Sequence, residues 1–363
     1  MLRAGADLGG TKIQTVIVDD ENEVLGTDRR PTPTKGGPPD VADEIAESVR
    51  VSCADAGVSP DDIAALGVGA PGQIDKAAGT VSQAGNLPNW MFTYPLGPEL
   101  TTRLGVPVQV GNDVQVGVVA EHRLGAGRPY SSLIGIFCGT GVGGGIIMHD
   151  QLWLGRGYAG EVGHMVIQDD GAPCTCGRSG CMEAYAGRAA MEIQARRLTM
   201  QGQHTNLFKY MDQKGKPRLA SGVWAKAVKK DDNMAIALLE RAIWAVAAGA
   251  ASAVNLLDVE AVIIGGGLGC RLGQRFVDRI EEAMLPHLLA REERPAVLLA
   301  ALGDLGGALG AALLVEDPDI HPKQRRNPKA AAAKRAAAKQ KPAVELKKVR
   351  AAKQKAKKAV EKL

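Results

Sequence analysis

Arg3-Ala4-Gly5-Ala6-Asp7-Leu8-Gly9-Gly10-Thr11-Lys12-Ile13-Gln14-Thr15-Val16-Ile17-Val18-Asp19 decides the fold of this chain. Its ends read as strands, near 3–7 and 13–19, and the glycine pair between them marks a tight hairpin. About 130 residues further on the construction returns: Ser132 to Phe137 and Gly143 to Met148 read as strands around Cys138-Gly139-Thr140-Gly141-Val142-Gly143-Gly144-Gly145. Buried strands are expected at 63–69, ending in Ala70-Pro71-Gly72, and at 106–110, ending in Gly111-Asn112-Asp113. The spacing of apolar positions predicts helices over 41–56, 114–124, 183–200 and 234–257, with a Pro- and Gly-rich loop at 29–39. A strand at 261–264 runs into Gly265-Gly266-Gly267-Leu268-Gly269, and a strand at 296–300 and a helix at 306–315 close the body. Two copies of a strand-glycine-strand unit predict an α/β chain of two similar lobes, with a ligand cleft between them.

The composition narrows the setting. With 363 residues, 45% hydrophobic and 23% charged, the chain is long enough for two cores. No run of about 18 uncharged apolar residues appears, and Asp7 stands where a signal peptide needs its apolar stretch. Six cysteines are few for a disulfide scaffold, and three of them crowd into 174–181, so a reducing, cytoplasmic compartment is expected. Residues 321–363 hold 16 Lys/Arg against 2 Asp/Glu, a balance of +14, which leaves −10 on residues 1–320. This Lys- and Ala-rich tail has almost nothing to bury and is expected to be disordered or transiently helical. Such a stretch could bind nucleic acid or another polyanion, or simply remain solvated.

Three features carry chemistry. Glycine-rich turns let backbone N–H groups approach phosphate oxygens, and Thr140 adds a hydroxyl, although plain tight hairpins would read the same way. A third glycine cluster at 265–269 could converge with them on a nucleotide, and Asp7 is placed to hold Mg²⁺ through water. Cys174, Cys176 and Cys181 with His164 make three thiolates and one imidazole, a closed tetrahedral set suited to a structural Zn²⁺; unpaired reduced cysteines are the alternative. Cys53, Cys138 and Cys270 stand alone and read as core residues. Asp113, at a strand end, suits a general base or equally a helix N-cap. Glu161 and Glu183 bracket the cysteine cluster, where fixed carboxylates could accept hydroxyl hydrogen bonds from a sugar.

Taken in order, Asp7-Leu-Gly-Gly-Thr-Lys12, Gly69-Ala-Pro-Gly72, Asn86-Leu-Pro-Asn-Trp90, Gly111-Asn-Asp113, Gly139-Thr-Gly-Val-Gly-Gly-Gly145, Gly160-Glu-Val-Gly-His164, Cys174-Thr-Cys-Gly-Arg-Ser-Gly-Cys-Met-Glu183 and Gly265-Gly-Gly267 resemble the ROK family of bacterial sugar kinases and repressors. The similarity spans residues 3–316 and is greatest to ATP-dependent glucokinases. It implies two ribonuclease-H-like lobes of the actin and hexokinase superfamily. The expected division is an N-terminal lobe over 1–113, completed by about 303–316, a larger lobe over 114–302, and the tail at 321–363. By that resemblance Asp113 is the catalytic base toward the sugar 6-hydroxyl, and Gly72, Asn86, Asn112, Glu161, His164 and Glu183 join it in holding the hexose. Asp7, Gly9, Gly10, Thr11 and Lys12, with Gly139, Thr140, Gly141, Gly143 and Gly144, would bind the phosphates of Mg²⁺-ATP. Gly265, Gly266 and Gly267 would lie beside the adenosine.

Glucose is the favoured hexose, ahead of mannose, N-acetylglucosamine and fructose. A sugar sensor whose tail binds nucleic acid is the alternative, against which an intact Asp113 speaks. Relatives are commonly homodimers or homotetramers. Polyphosphate-using relatives usually lack the cysteines, so ATP is the expected donor. Repressors of the family carry a DNA-binding segment ahead of the Asp7 motif, for which this sequence shows no room. Two features depart from the pattern: Asn89 replaces the usual Gly before the Trp, a mild change because Asn tolerates positive φ, and the basic tail has no counterpart.

Overall fold

The opening stretch folds back as a hairpin: β1 (Leu2–Leu8) and β2 (Lys12–Val18) pair antiparallel, and the Gly9 N–H donates to the Lys12 carbonyl at 2.9 Å. The computed structural model describes residues 1–316; the basic stretch 321–363, with the fold and binding expected of it, lies outside the described residues. After β2 the chain continues into β3 (Val24–Pro31), antiparallel to β2, and α1 (Pro38–Asp55). There follow β4 (Ile63–Ala70), the small hairpin β5 (Gln73–Asp75) and β6 (Thr80–Ser82), α2 (Leu96–Leu104) and β7 (Val108–Asn112). Parallel pairing of β4 to β1 and of β7 to β4 gives the sheet order β3-β2-β1-β4-β7.

After α3 (Asp113–Arg123) the same plan repeats. Strands β8 (Leu133–Cys138), β9 (Val142–Met148) and β10 (Gln151–Leu152) form the second meander. Helices α4 (Glu183–Ala186), α5 (Arg188–Met200), α6 (Leu207–Gln213), α7 (Ser221–Lys229) and α8 (Asn233–Leu257) come next. The chain ends in β11 (Ala261–Gly265), α9 (Gly266–Leu272), α10 (Gln274–Met284), β12 (Ala296–Leu299) and α11 (Gly306–Ala312). The second sheet has the order β10-β9-β8-β11-β12, strand for strand the equivalent of the first. The doubled α/β architecture expected from the two glycine hairpins is therefore present.

Local departures have local causes. Residues 29–31, read as loop, end β3, an edge strand whose Asp28, Arg29 and Arg30 hide its pairing behind charge, as edge strands often do. The helix expected over 183–200 is two helices, because Gly187 turns extended (φ −71°, ψ 132°) and its N–H closes the first turn on the Glu183 carbonyl. The 265–269 glycines are not an open loop: Gly266, at φ +76°, starts α9, and a β-carbon there would lie 2.5 Å from the Cys138 carbonyl oxygen. Asn89 does take the left-handed conformation its position requires, at φ 51°, and its Nδ2 donates to the Gly36 carbonyl at 2.6 Å. Among the described residues α8 alone is long and apolar enough to cross a membrane; its Val246, Ala247, Gly249 and Ala250 are buried in the core beside the second sheet.

Two helices join the sheets. Ala120 of α3 packs with Val16, Val18, Ala308 and Ala312, while Val118, on another face, packs with Leu133, Ile147 and Ile263. Helix α11 lies flush on the first sheet because glycines vacate the space: a β-carbon on Gly67 would sit 1.8 Å from the Ala311 carbonyl oxygen. It crosses α3 as closely, since a β-carbon on Gly310 would meet the Val116 carbonyl oxygen at 1.9 Å. The start of α3 is thereby held at the seam between the two sheets.

Candidate active site

Asn112, and not Asp113, takes the helix cap. Asn112 is the N-cap of α3: its Oδ1 accepts from the N–H groups of Val114 and Gln115, both at 3.1 Å. Asp113 is thus not the cap; its Oδ1 accepts the Val114 N–H at 2.9 Å. Burial pushes its carboxyl up to about 7, the neighbouring charge of Asp7 adds to the rise, and Glu161 adds further. Asp7 is pushed up to about 6 by burial, opposed by Lys12 and assisted by Asp304. Its carboxylate rests against the start of α11, where a β-carbon on Gly307 would come within 2.6 Å of Cγ. Lys12 itself pairs with Asp304 at 3.3 Å. A half-buried carboxyl that changes protonation near neutrality is suited to accept a proton from a hydroxyl.

The cysteine cluster is assembled. The ligand atoms of His164, Cys174, Cys176 and Cys181 all lie within 4.8 Å of one another. Cys176 Sγ is 3.7 Å from Cys181 Sγ, and Cys174 Sγ is 3.8 Å from His164 Nδ1. A tetrahedron with zinc–sulfur bonds of 2.3 Å has sulfur–sulfur edges of about 3.8 Å, so the donor set fits Zn²⁺. Because Nδ1 faces the thiols, His164 keeps Nε2 for another partner. Glu183 adjoins the cluster: Oε1 accepts from the Thr175 hydroxyl at 3.1 Å, and Oε2 accepts the Val142 N–H at 2.8 Å. Glu183 therefore spans from the cysteine loop to the second glycine turn.

That turn is packed against the other candidates. A β-carbon on Gly141 would fall 2.1 Å from Glu183 Oε2, and one on Gly143 would fall 2.6 Å from a methyl of Val114, next to Asp113. Gly144 lies under Val162 and the Gly160 carbonyl, so β9 also supports the 160–164 segment that carries Glu161 and His164. Gly265 packs on Phe137 and Gly266 on Cys138, which brings the third cluster to the foot of the second turn, while Gly267 faces Ser221. At the first turn, Gly10 abuts Asn86 and Thr11 is exposed. Gly72, at φ +92°, is packed beneath Ser82 and Ala84; a backbone role accounts for it.

Two residues beside the turns belong to no motif. Thr32, from the loop after β3, donates its hydroxyl to the Gly9 carbonyl at 2.6 Å and its N–H to the Thr11 carbonyl at 3.3 Å. Arg188, at the start of α5, reaches Gly139 and Thr140 in the second turn. A single Thr in a loop and a single Arg after a glycine carry no sequence signal, and only the fold brings them to the turns.

Comparison with known proteins agrees with this geometry. Residues 3–318 match the ROK family. The glucokinase of Streptomyces coelicolor is 34% identical over 323 residues, covering 88% of this chain and 98% of that protein. The glucokinase of Thermotoga maritima is 32% identical over 322 residues, covering 86% and 96%. The crystal structure of a ROK family glucokinase from Streptomyces griseus in complex with glucose and AMPPNP superimposes with a TM-score of 0.73 at 33% identity, over 86% of this chain and 99% of that one. With a motif set that spans the body, two equivalent sheets and a carboxylate at their seam, the chain belongs to the ROK family of sugar kinases.

Proposed function

We propose that the protein is an ATP-dependent glucokinase, which transfers the γ-phosphoryl group of ATP to the 6-hydroxyl of glucose. The observation that carries the proposal is Asp113: a carboxyl at the seam of the two sheets, relieved of capping by Asn112 and raised to about 7 by burial. In this reading Asp113 accepts the hydroxyl proton as the oxygen attacks phosphorus. Glu161, His164 through Nε2, Glu183 and the amide N–H₂ of Asn112 hold the remaining hydroxyls, with Gly72 and Asn86 shaping the rim. Glu183 can accept sugar hydroxyls beside the Val142 and Thr175 donors because a carboxylate offers about four acceptor sites. The turns at 9–12 and 139–144 receive the phosphates, and 265–267 lies beside the nucleoside. Mg²⁺ arriving with the nucleotide supplies charge neutralisation on the phosphates. Zn²⁺ on His164, Cys174, Cys176 and Cys181, with no open position, fixes the loop and the histidine ring.

Glucose is preferred over other hexoses because glucokinases are 32–34% identical over most of this chain, against 28% for N-acetyl-D-glucosamine kinases, and ATP is preferred because one glucokinase is described with AMPPNP. The test is a coupled assay of ADP release with glucose, mannose, N-acetylglucosamine and fructose, run beside polyphosphate as donor. Turnover with glucose and ATP that exceeds every other pair supports the proposal. No ADP release with any hexose from folded, zinc-loaded protein refutes it and turns attention to a sugar sensor.

A second reading rests on charge. The +14 balance of residues 321–363 against −10 for the rest suits a tether that holds the kinase on nucleic acid or another polyanion. Truncation at His321 is expected to leave kinetics unchanged and abolish salt-sensitive DNA retention; equal retention of both forms would refute the tether.

A further inference from the structure

We infer that Arg188 is a positioning residue for nucleotide: it locks the second glycine turn from behind so that the turn's donors face the phosphates. The inference rests on the assignment of that turn to ATP and goes beyond it by naming what holds the turn's geometry.

Four hydrogen bonds run between the start of α5 and residues 139–140. The Arg188 N–H and Nε both donate to the Gly139 carbonyl, at 3.2 and 3.1 Å. The Ala189 N–H donates to the Thr140 carbonyl at 3.0 Å, and Arg188 Nη2 donates to Thr140 Oγ1 at 3.1 Å. All peptide bonds in the described residues are trans, and in a planar trans peptide the C=O and the following N–H point in opposite directions. Fixing the Gly139 and Thr140 carbonyls toward α5 therefore turns the N–H groups of Thr140 and Gly141 away from it. The guanidinium acts on the hydroxyl in the same sense. With a lone pair of Oγ1 engaged by Nη2, the Thr140 O–H proton must point elsewhere, and exposed Thr140 presents it as a donor.

Arg188 is otherwise short of counter-charge. Its hydrogen bonds go to two carbonyls, of Gly139 and Leu219, and to one hydroxyl, with no carboxylate among them. Arg218 nearby adds like charge, while Glu192 acts on it only at longer range. A half-buried cation behind the Thr140 and Gly141 N–H groups favours an anion in front of them. The first turn is built alike, with uncharged Thr32 holding the carbonyls of Gly9 and Thr11, so the charged clasp is peculiar to the second turn.

The test is calorimetric binding of Mg²⁺-AMPPNP, beside steady-state kinetics, for wild type, Arg188→Ala, Arg188→Lys, Thr140→Ala and the double variant. Loss of charge-assisted hydrogen bonds predicts that Arg188→Ala raises the nucleotide Kd and KM on the order of 10-fold, with the hexose KM within about twofold. Lysine lacks the fork that reaches carbonyl and hydroxyl together, so Arg188→Lys is expected to recover only part of the loss. The effects of Arg188→Ala and Thr140→Ala are expected to be less than multiplicative in the double variant. Should the alanine variant not fold, as judged by zinc content and melting, Arg188→Gln carries the same test. An unchanged nucleotide Kd, full recovery by lysine, or strictly multiplicative effects would each overturn the inference while leaving the kinase assignment intact. Wild-type protein that binds hexose but no Mg²⁺-AMPPNP would overturn the nucleotide assignment itself, and the inference with it.

Discussion

Replacing Asp113 by Asn should abolish turnover and stabilise the fold at once, with a pH dependence that identifies the cause. The carboxyl is raised from 3.8 to about 7, chiefly by burial. A folded value above the unfolded one means that the native state binds the proton more tightly. The stability this confers is complete below about pH 4 and is lost progressively as pH rises through 7. Above pH 7 the native protein carries an ionised, poorly solvated carboxylate beside Asp7 and Glu161. A rise of about 3 pH units corresponds to roughly 4 kcal/mol at 1.36 kcal/mol each. The side chain is partly open to the cleft, and screening reduces that to about 1–2 kcal/mol. Asp113→Asn removes the charge and keeps an Oδ1 that can accept the Val114 N–H. At pH 8 it should gain about 1–2 kcal/mol in urea unfolding, or roughly 2–5 °C in Tm. At pH 5 the gain should fall by more than half, and kcat should drop on the order of 10² or more at any pH. A gain of equal size at both pH values would mean packing rather than charge. No gain at pH 8, or retained turnover, would remove Asp113 from the role of base.

For the wild-type enzyme, kcat/KM for hexose should rise with pH with a midpoint near 7 and level off above about 8, as the free enzyme's Asp113 gives up its proton; a flat profile from pH 5.5 to 8 would count against it. Cys176→Ala should lower zinc to well below one ion per chain by metal analysis, with loss of activity and of protection in the 165–181 loop, whereas full occupancy would exclude Cys176 as a ligand. Gly67→Ala should destabilise the fold by about 3 kcal/mol in urea unfolding, because its β-carbon would lie 1.8 Å from the Ala311 carbonyl oxygen and force α11 off the sheet. Gly85→Ala, with nothing within 4 Å, should be neutral; comparable losses in both variants would show that the α11 contact is not the cause.

Much of this arrangement was legible in the sequence because glycine carries specific geometric information. The two hairpins, the strand ends at Gly72 and Asp113 and the repeat of about 130 residues were readable since glycine clusters punctuate the apolar runs of strands. The zinc set was readable because three cysteines and a histidine have few other common uses at that spacing. Strand β3 was not, since an edge strand mixes charges with apolar residues, and α6 and α7 were not, since short helices hold too few turns to show a period. Thr32 and Arg188 escaped for another reason. Their partners lie more than 20 residues away, and a single polar residue acquires meaning only when the fold supplies what it touches. That Asp113 is not the cap was likewise unreadable until Asn112 was seen to hold it.

The repeat also accounts for the unequal surroundings of the two acidic residues at the seam. In each half the helix that follows the fifth strand crosses its counterpart, α3 after β7 and α11 after β12, at the contact of Val116 with Gly310. One crossing helix begins at Asp113; the other begins at Gly306-Gly307, and there Asp7 leans on its first turn. Two carboxylates thus stand near the starts of two crossing helices, and the charge of Asp7 raises the affinity of Asp113 for a proton. Lys12 stands by Asp7 and lowers it, while the side chains acting on Asp113 are Asp7 and Glu161, both anionic. Burial raises both carboxyls, and Lys12 opposes the rise at Asp7 alone. Where environment separates two carboxyls, the one that holds its proton more tightly is the better proton acceptor and the other remains the anion. In the proposed function Asp113, whose rise no cation opposes, is the base, and Asp7, held down by Lys12, is the carboxylate that would face a cation brought in with the phosphates.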